Sequence, residues 1–395
     1  VFTYNTYSQV SKVTDPRGNA TSYTYDKNNR CTQVKLANAK TIVSTYDARG
    51  RLMTQKDPNG RITTYTYDLA DRLTAVKDPM GQTWNYAYNS VGELTSVTDP
   101  KGNQTAYEYD KFGRMVKTTD ALGRNAVSSY DVRGNLVSVS DFGGKVTTLT
   151  YDSKDRLISR TAGSDVTRFS YNAKGQPETV VTGEGTFRYT YNAIGLMASE
   201  QKPDGRTISY TYDQSYRLAS MTTPYGTTVY EYDLLDRLIK VIDPDGQETT
   251  YTYDANGNLQ TMSYPNGLTT TYLYNNVNAL TGEQIRNRQN AIVYEYVYTV
   301  GAMGERTKVT ETGGRIVAYT YDALYRLTKE TVTQNNVATT TEYTYYAVSN
   351  RLTKKTGGVT TAYTYNALNQ LTGEGNITYT HDHARNRTCT ADGSE

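Results

Sequence analysis

Residues 65–81 are Tyr-Thr-Tyr-Asp-Leu-Ala-Asp-Arg-Leu-Thr-Ala-Val-Lys-Asp-Pro-Met-Gly, and this stretch holds the pattern that decides the fold. Tyr65 and Tyr67 lie two residues apart among β-branched neighbours, which predicts a strand with both rings on one face. Asp71 follows four residues after Tyr67, and Asp, Asn and Gly tolerate the positive φ that a tight turn requires. A second short strand is expected from Leu73, and the closing Asp-Pro-Met-Gly has the composition of a type I turn.

The same pattern recurs along the chain. A tyrosine followed by Asp or Asn occurs every 21 residues from Tyr4 to Tyr151, and every 20 or 21 residues on to Tyr274. The spacing then loosens, and in the last unit His381-Asp382 replaces the Tyr-Asp pair. A fixed period of this length indicates a repeat architecture. We therefore expect residues 1–395 to form a single array of about 18 units of 20–25 residues, degenerate at 376–395.

The Tyr-Asp pairs are expected to be structural anchors, because a residue that binds or catalyses rarely appears once in every repeat. The predicted anchors are Tyr25, Asp26, Tyr46, Asp47, Tyr67, Asp68, Tyr109, Asp110, Tyr130, Asp131, Tyr151, Asp152, Tyr212, Asp213, Tyr232, Asp233, Tyr253, Asp254, Tyr321 and Asp322. Aromatic pairs at equivalent positions of successive hairpins are expected to stack into ladders along the sheet.

The predicted fold is all-β, a continuous antiparallel hairpin array. Every connection is short, so consecutive strands should pair in one meander of about 36 strands, roughly 170 Å long. Sheets of that length twist and curl, so the ribbon must coil. One circuit of the whole ribbon would be roughly 55 Å across. Leu73 and Val76 lie three residues apart, which indicates either a β-bulge or a strand covered on both faces.

The composition excludes several classes of protein. The chain has 39 tyrosines, 42 Lys and Arg against 40 Asp and Glu, and a formal net charge of +2. Dedicated nucleic-acid binders usually carry a basic excess, so no nucleic-acid partner is expected. The apolar runs are too short for a membrane-spanning helix, and residues 1–4 do not resemble a signal peptide.

Units such as Tyr46-Asp47-Ala48-Arg49-Gly50-Arg51-Leu52 resemble the YD repeats of the RHS family over roughly residues 1–390. That family includes bacterial Rhs polymorphic toxins, the B and C components of insecticidal Tc toxins, wall-associated bacterial proteins and teneurins. The resemblance implies a spiral β-hairpin strip that forms part of a hollow shell. In the toxins, such a shell sequesters a C-terminal toxic domain.

The resemblance also implies the function. We expect a non-catalytic shell segment, secreted or at the bacterial cell surface, whose partners are an enclosed toxin polypeptide or other shell segments. The alternative is an extracellular adhesion or carbohydrate-binding module, because flat tyrosine rings can stack on cell-surface glycans.

The sequence departs from the family at one functional motif. Complete shells are several times longer and carry an Asp-Pro-x-Gly-Leu boundary where the toxin is released by self-cleavage. Asp99-Pro100-Lys101-Gly102 is followed by Asn103 instead. The chain is therefore expected to be a fragment of a larger shell, without self-proteolysis.

The residues suited to catalysis or metal binding are few. The two histidines, His381 and His383, lie near Cys389 and Asp392, but their spacing matches no strong metal signature. Other carboxylates are expected in turns, where they cap backbone N–H groups. The sequence predicts no catalytic residue, no metal site and no cofactor.

Overall fold

The computed structural model describes residues 1–382 and 386–390, and these contain 38 β-strands and no helix. The first half comprises β1 Phe2–Tyr4, β2 Val10–Thr14, β3 Ala20–Tyr25, β4 Cys31–Lys35, β5 Thr41–Tyr46, β6 Leu52–Lys56, β7 Ile62–Tyr67, β8 Leu73–Lys77, β9 Thr83–Tyr88, β10 Leu94–Thr98, β11 Gln104–Tyr109, β12 Met115–Thr119, β13 Asn125–Tyr130, β14 Leu136–Ser140, β15 Val146–Tyr151, β16 Leu157–Ala162, β17 Asp165–Tyr171, β18 Pro177–Thr182 and β19 Gly185–Tyr191. The second half comprises β20 Met197–Gln201, β21 Thr207–Tyr212, β22 Leu218–Thr223, β23 Gly226–Tyr232, β24 Leu238–Ile242, β25 Glu248–Tyr253, β26 Leu259–Ser263, β27 Thr269–Tyr274, β28 Leu280–Arg286, β29 Ile292–Val300, β30 Arg306–Glu311, β31 Ile316–Tyr321, β32 Leu327–Gln334, β33 Val337–Tyr345, β34 Arg351–Thr356, β35 Val359–Tyr365, β36 Leu371–Glu374, β37 Ile377–His381 and β38 Arg387–Thr390.

Each strand pairs antiparallel with the next, so the sheet is one uninterrupted meander, as the sequence predicts. The expected count of about 36 strands is slightly low, because the degenerate last unit also forms strands.

The ribbon has two edges, and each edge is formed by the turns that connect the strands. We call the turns that follow the Tyr-Asp or Tyr-Asn pair, such as residues 68–71, YD turns, and those at the opposite edge, such as residues 78–81, DP turns.

A β-bulge in each YD hairpin answers the question left open by the spacing of Leu73 and Val76. Tyr67 pairs with Leu73 and Tyr65 pairs with Val76, and the register shifts between Thr66 and Tyr67. Residues directly opposite each other in an antiparallel pair point to the same side. The extra residue therefore puts both tyrosines, Leu73 and Val76 on one face.

The sheet is a single layer with little enclosed core. The described chain exposes 23066 Å² of surface. A compact monomer of 44.1 kDa would expose about 15,500 Å². In the described part of this chain, the one cluster of buried hydrophobic residues consists of Tyr298, Val309 and Val317. This excess of surface is what a curved strip without a second packed layer produces.

The strip coils back on itself. Hydrogen bonds join side chains 239 to 268 residues apart, including Asn276 to the Ala37 carbonyl and Tyr325 to Asp57. Between Ala37 and Asn276 lie the 23 strands from β5 to β27, so one circuit takes about 23 strands and is about 35 Å across. The figure of about 55 Å for one circuit of the whole ribbon does not apply, because the ribbon makes more than one circuit.

Candidate functional site

The predicted anchor tyrosines tie each hairpin to the one before it. The phenolic O–H of Tyr109 donates to the backbone carbonyl of Leu94 at 2.9 Å, 15 residues earlier and in the preceding YD hairpin. Among the other predicted anchors, the same bond is made by Tyr25, Tyr46, Tyr130, Tyr151, Tyr212, Tyr232, Tyr253 and Tyr321. The ring of Tyr67 lies beneath the guanidinium of Arg51, 4.9 Å from the ring centre. Each bond occupies a carbonyl next to the bulge.

The predicted anchor aspartates close the YD turns. Asp152 Oδ1 accepts from the backbone N–H groups of Lys154 and Arg156 at 2.8 and 3.0 Å. The other nine aspartates of the predicted set accept the equivalent pair of N–H groups: Asp26, Asp47, Asp68, Asp110, Asp131, Asp213, Asp233, Asp254 and Asp322. The backbone and side-chain donors of Arg156 lower the pKa of Asp152 to about 2. The turn therefore holds an ionised carboxylate at neutral pH.

An arginine that the sequence analysis gave no role links consecutive units. The Nε and Nη2 atoms of Arg72 both lie 2.7 Å from Asp68 Oδ2 in the same turn. Its Nη1 donates to the Asn89 carbonyl of the next unit at 2.7 Å, and its guanidinium lies 5.0 Å from the Tyr88 ring centre. We call this arrangement of aspartate, arginine and following tyrosine the Tyr-Asp-Arg relay.

The relay recurs wherever Arg occupies that position. Its arginines lie over the tyrosine of the next unit at 4.6 to 5.0 Å: Arg30, Arg51, Arg72, Arg114, Arg156, Arg217, Arg237 and Arg326. Charge-assisted hydrogen bonds are stronger than neutral ones, and a guanidinium over an aromatic ring is attracted to the negative face of that ring. The fixed spacing of Arg five residues after the anchor Tyr could have revealed the relay from sequence.

The expected ladder of stacked tyrosine rings is wrong. In the part of the chain that the structure describes, ring–ring contacts are limited to Tyr294 with Tyr296, Tyr296 with Tyr298, and Tyr346 with Tyr365. The anchor tyrosines use other partners: their hydroxyls donate to backbone carbonyls of the preceding hairpin, and in the relay a guanidinium lies over the ring.

The two windings meet along a line that we call the seam, where DP turns of residues 15–102 contact YD turns of residues 254–349. Arg17 shows the contact best. Its Nη2 donates to the Asn275 carbonyl at 2.5 Å and to Asn278 at 2.8 Å, and its Nη1 lies 3.4 Å from Asp254. Arg17 therefore bridges two successive YD turns of the other winding.

Arg17 also acts on the charge of Asp254. Burial works to raise the pKa of Asp254, while hydrogen bonds from Asn258 and Asn256 and the charge of Arg17 lower it overall. The carboxylate is thus kept ionised at the boundary between the windings.

A second seam contact centres on Tyr325. Its hydroxyl donates to Asp57 Oδ2 at 2.6 Å, and the Arg61 guanidinium lies 3.7 Å from its ring centre. Burial, with the hydrogen bond to Asp57, raises the pKa of Tyr325 to about 12. Asn59 donates to both Tyr325 and Glu305. One tyrosine therefore binds three side chains of the preceding winding.

Other side chains of the DP turns also cross the seam. Further contacts join Lys101 to the Tyr346 ring, 5.5 Å from its centre, and Arg326 to the sulfur of Met80 at 3.1 Å. Arg17, Asn59, Met80 and Lys101 all occupy the third position of a DP turn. A shared position gives no indication in the sequence of which distant turn lies opposite.

Among the described residues, no group of three or more His, Cys, Asp or Glu side chains lies close enough to hold a metal ion. His383 and Asp392 lie outside the described residues, as does the side chain of Cys389. No helix within the described ranges could cross a bilayer.

Two models of known protein families match parts of this chain. A model described as teneurin YD-shell matches residues 1–190, and an RHS repeat model matches residues 191–228 and 232–269. A comparison with curated protein sequences gave no match.

Solved Tc toxin structures share the fold. The crystal structure of TcdB2-TccC3-Cdc42 is 15% identical and superposes over 100% of this chain with a TM-score of 0.69. TcdB2-TccC3 without its hypervariable C-terminal region gives 16% and 0.68, and the Photorhabdus luminescens Tc holotoxin pore gives 15% and 0.67, each over 100% of this chain. The chain spans about a quarter of those structures, 26% in each case. With the repeat matches, the Tyr-Asp pattern and the coiled hairpin strip, this chain belongs to the RHS/YD-repeat family.

Proposed function

We propose that this chain is a non-catalytic segment of a hollow β-shell that encloses a polypeptide, such as a toxin domain. The observation that carries the proposal is the seam, because it closes a single-layer strip into a spiral rather than a flat ribbon. A strip that coils about 35 Å across surrounds space instead of packing against a second layer.

In this proposal the whole of residues 1–395 is one array and a part of a larger shell. The Tyr-Asp pairs act as its structural anchors, because their hydrogen bonds are used within the sheet and the turns. The similarity to Tc toxin structures supports an enclosed toxin or another shell segment as the partner, and a secreted or cell-surface location.

The glycan-binding alternative has no specific observation in its favour. Among the described residues, the exposed aromatic side chains of the turns include Phe112, Tyr216 and Tyr225, and these lie in three different turns. Sugar stacking favours several rings gathered on one surface. We therefore do not propose it as a second function.

Protease protection tests the enclosure. A flexible tail with one site for a specific protease, fused after residue 395, should be cleaved much more slowly than the same tail on a compact carrier. The seam variant Arg17→Ala/Tyr325→Ala should restore fast cleavage, because the windings separate. The control is Arg49→Ala/Tyr216→Ala, which changes the same residue types at YD turns outside the seam.

The proposal fails if the tail is cleaved at the carrier's rate in the unaltered chain. It also fails if the seam variant and the control protect the tail equally while circular dichroism shows that both retain the sheet.

A further inference from the structure

Three Asn-Gly pairs occur in the chain: Asn59-Gly60, Asn256-Gly257 and Asn266-Gly267. Glycine has no side chain to shield its backbone nitrogen, so this nitrogen can attack the amide carbon of the preceding asparagine. An Asn-Gly pair is therefore especially prone to lose the asparagine amide. Asn59 lies in a DP turn and Asn256 in a YD turn, and both belong to the seam. Two of the three reactive pairs thus lie at the contact that holds the windings together.

The closed seam holds the side chain of Asn59. Its Nδ2 donates to Glu305 Oε1 at 2.9 Å and to the Tyr325 hydroxyl at 3.0 Å, and both partners belong to the other winding. Attack by the Gly60 nitrogen requires the asparagine side chain to turn towards its own backbone, and that rotation breaks both hydrogen bonds. The amide of Asn59 is therefore protected while the windings stay in contact.

The side chain of Asn256 is held by one more hydrogen bond than that of Asn59. Its Nδ2 donates to Asp15 Oδ2 at 2.7 Å and to Asn278 Oδ1 at 2.9 Å. Its Oδ1 accepts from the backbone N–H of Arg17 at 3.2 Å. Asp15 and Arg17 lie in the other winding. Both sides of these contacts lie within residues 15–325, so they do not depend on further windings of a larger shell.

Asn266 provides an internal reference, because it has the same local sequence as Asn59. Both lie in a Pro-Asn-Gly turn, and in each turn the glycine N–H donates to the carbonyl three residues earlier at 2.9 Å. The Oδ1 of Asn266 accepts from the Leu268 N–H of its own turn at 3.0 Å. Within the described residues of this chain, the two sites therefore share a turn and differ in the contact with a second winding.

Loss of the amide needs water and no oxidant or reductant. The Gly60 nitrogen gives up its proton and bonds to Cγ of Asn59, the Cγ–Nδ2 bond breaks, and ammonia leaves. Water then opens the resulting succinimide ring to aspartate or isoaspartate. The new carboxylate has no N–H to donate, so it meets Glu305 as a second negative group. At position 256 the new carboxylate meets Asp15 in the same way, and like charges in contact repel.

We propose that Asn59 and Asn256 are deamidation sites that the closed seam protects, and that their deamidation prevents an opened seam from closing again. Opening of the seam releases both amides. Each reaction then replaces a hydrogen-bond donor with a negative charge at the contact. The proposal concerns the seam and does not depend on an enclosed polypeptide, so it and the protection of a fused tail fail independently.

Peptide mass spectrometry after incubation at mildly alkaline pH measures the loss of each amide. In the folded chain, Asn59 and Asn256 should deamidate at least about tenfold more slowly than in the same chain unfolded in urea, since the seam must open first. Asn266 should be slowed less, because its turn remains and the contact with a second winding does not contribute. Equal protection of all three sites overturns the proposal.

The seam variant Arg17→Ala/Tyr325→Ala should bring the rates at both seam sites close to the rate at Asn266. The control Arg49→Ala/Tyr216→Ala should leave the rates unchanged. Circular dichroism establishes that each variant retains the sheet. If the seam variant deamidates at the rates of the unaltered chain, the seam does not protect these amides and the proposal is wrong.

Asn59→Asp/Asn256→Asp tests the consequence of deamidation for the seam. Spin labels at Lys40 and Leu273 lie on the two windings, and double electron–electron resonance measures the distance between them. The distance distribution should shift to longer values than in the unaltered chain. Asn266→Asp is the matched control and should leave the distribution unchanged. If Asn59→Asp/Asn256→Asp does not shift the distribution, the added charges do not keep the seam open, and the proposal is overturned.

Discussion

Residues 1–275 and residues 280–345 hold the same ribbon together in two different ways. In the first region the units are 20 or 21 residues long, and many are joined by the Tyr-Asp-Arg relay. In the second region the strands lengthen to as many as nine residues in β29 and β33. There Tyr298, Val309 and Val317 form the buried cluster, with Leu280, Tyr296 and Val332 packed against it.

The difference teaches that regular repeats and apolar burial are alternative sources of stability in a single-layer sheet. A relay ties neighbours through ionised groups and needs no second layer. Longer strands bring more side chains together across the sheet, so burial can replace the relay. A change that weakens one region should therefore lower the local stability of that region more than that of the other.

The largest effect is expected from the buried cluster. Tyr298→Ala removes a ring that is 8% exposed and lies 3.9 Å from the Arg306 guanidinium. The local free energy of opening in residues 280–345 should fall by about 3 kcal/mol, as for other large-to-small core changes. Hydrogen exchange is the suitable measurement, because long repeat arrays do not unfold in one step.

Tyr298→Phe is the matched control for that change. It retains the ring and removes only the hydrogen bond to Glu283, so its effect should be about 1 kcal/mol. If Tyr88→Ala in the first region has a larger local effect than Tyr298→Ala, the contrast between the regions is wrong.

The relay should be the next most sensitive feature. Arg72→Ala breaks the ion pair with Asp68, the hydrogen bond to Asn89 and the contact with Tyr88. Amide exchange should quicken several-fold in β7 to β10 and stay unchanged in residues 280–345. The control is Arg49→Ala, whose ion pair with Asp71 is exposed, and exposed pairs contribute little. Equal effects of the two variants would show that the relay contributes no more than an exposed pair.

Alkaline pH should weaken the seam contact that Tyr325 of the second region makes with Asp57. Tyr325 has a pKa of about 12 in the folded chain, above the usual value of about 10. Between these values the unfolded or opened chain loses the proton first, so stability falls as pH rises from 10 towards 12. The difference in absorbance at 295 nm between the unaltered chain and Tyr325→Phe should titrate near pH 12. A midpoint near pH 10 would mean that the hydroxyl is free.

Acid should weaken the YD turns of the first region. The loss of one turn aspartate should have the smallest effect of these changes. Asp152 has a pKa of about 2, below the usual value of about 3.9. Its contribution is therefore present above pH 4 and is lost as pH falls towards 2. In acid titrations followed by circular dichroism, Asp152→Asn should be less stable than the unaltered chain at pH 6 and equal to it near pH 2. A difference that persists at pH 2 would assign the effect to geometry rather than charge.

Much of the fold was predictable from the sequence because each unit specifies itself locally. The Tyr-x-Tyr strands, the Asp-Pro-x-Gly turns and the meander follow from residue types within a few positions of each other. The bulge beside Leu73 does not follow from sequence, since spacing alone cannot separate a bulge from a strand covered on both faces.

The seam could not be predicted for a different reason. Its contacts join residues about 240 to 270 positions apart, and which turns meet depends on a small curvature summed over 23 strands. The relay was predictable in principle, because its arginine recurs at a fixed position. The predicted ladder of stacked tyrosine rings is wrong. The tyrosine hydroxyls donate to backbone carbonyls, and arginine side chains lie over several of the rings.

The most direct test of the coiled strip is the distance between two points that lie one circuit apart. Spin labels at Lys40 and Leu273, both exposed and close to the contact between Ala37 and Asn276, can be measured by double electron–electron resonance with the native cysteines replaced. The spiral predicts a distance below about 30 Å, from three residues of extended chain on each side of the contact. An uncoiled ribbon would separate the labels by about 110 Å, beyond the range of the method, and would contradict the account.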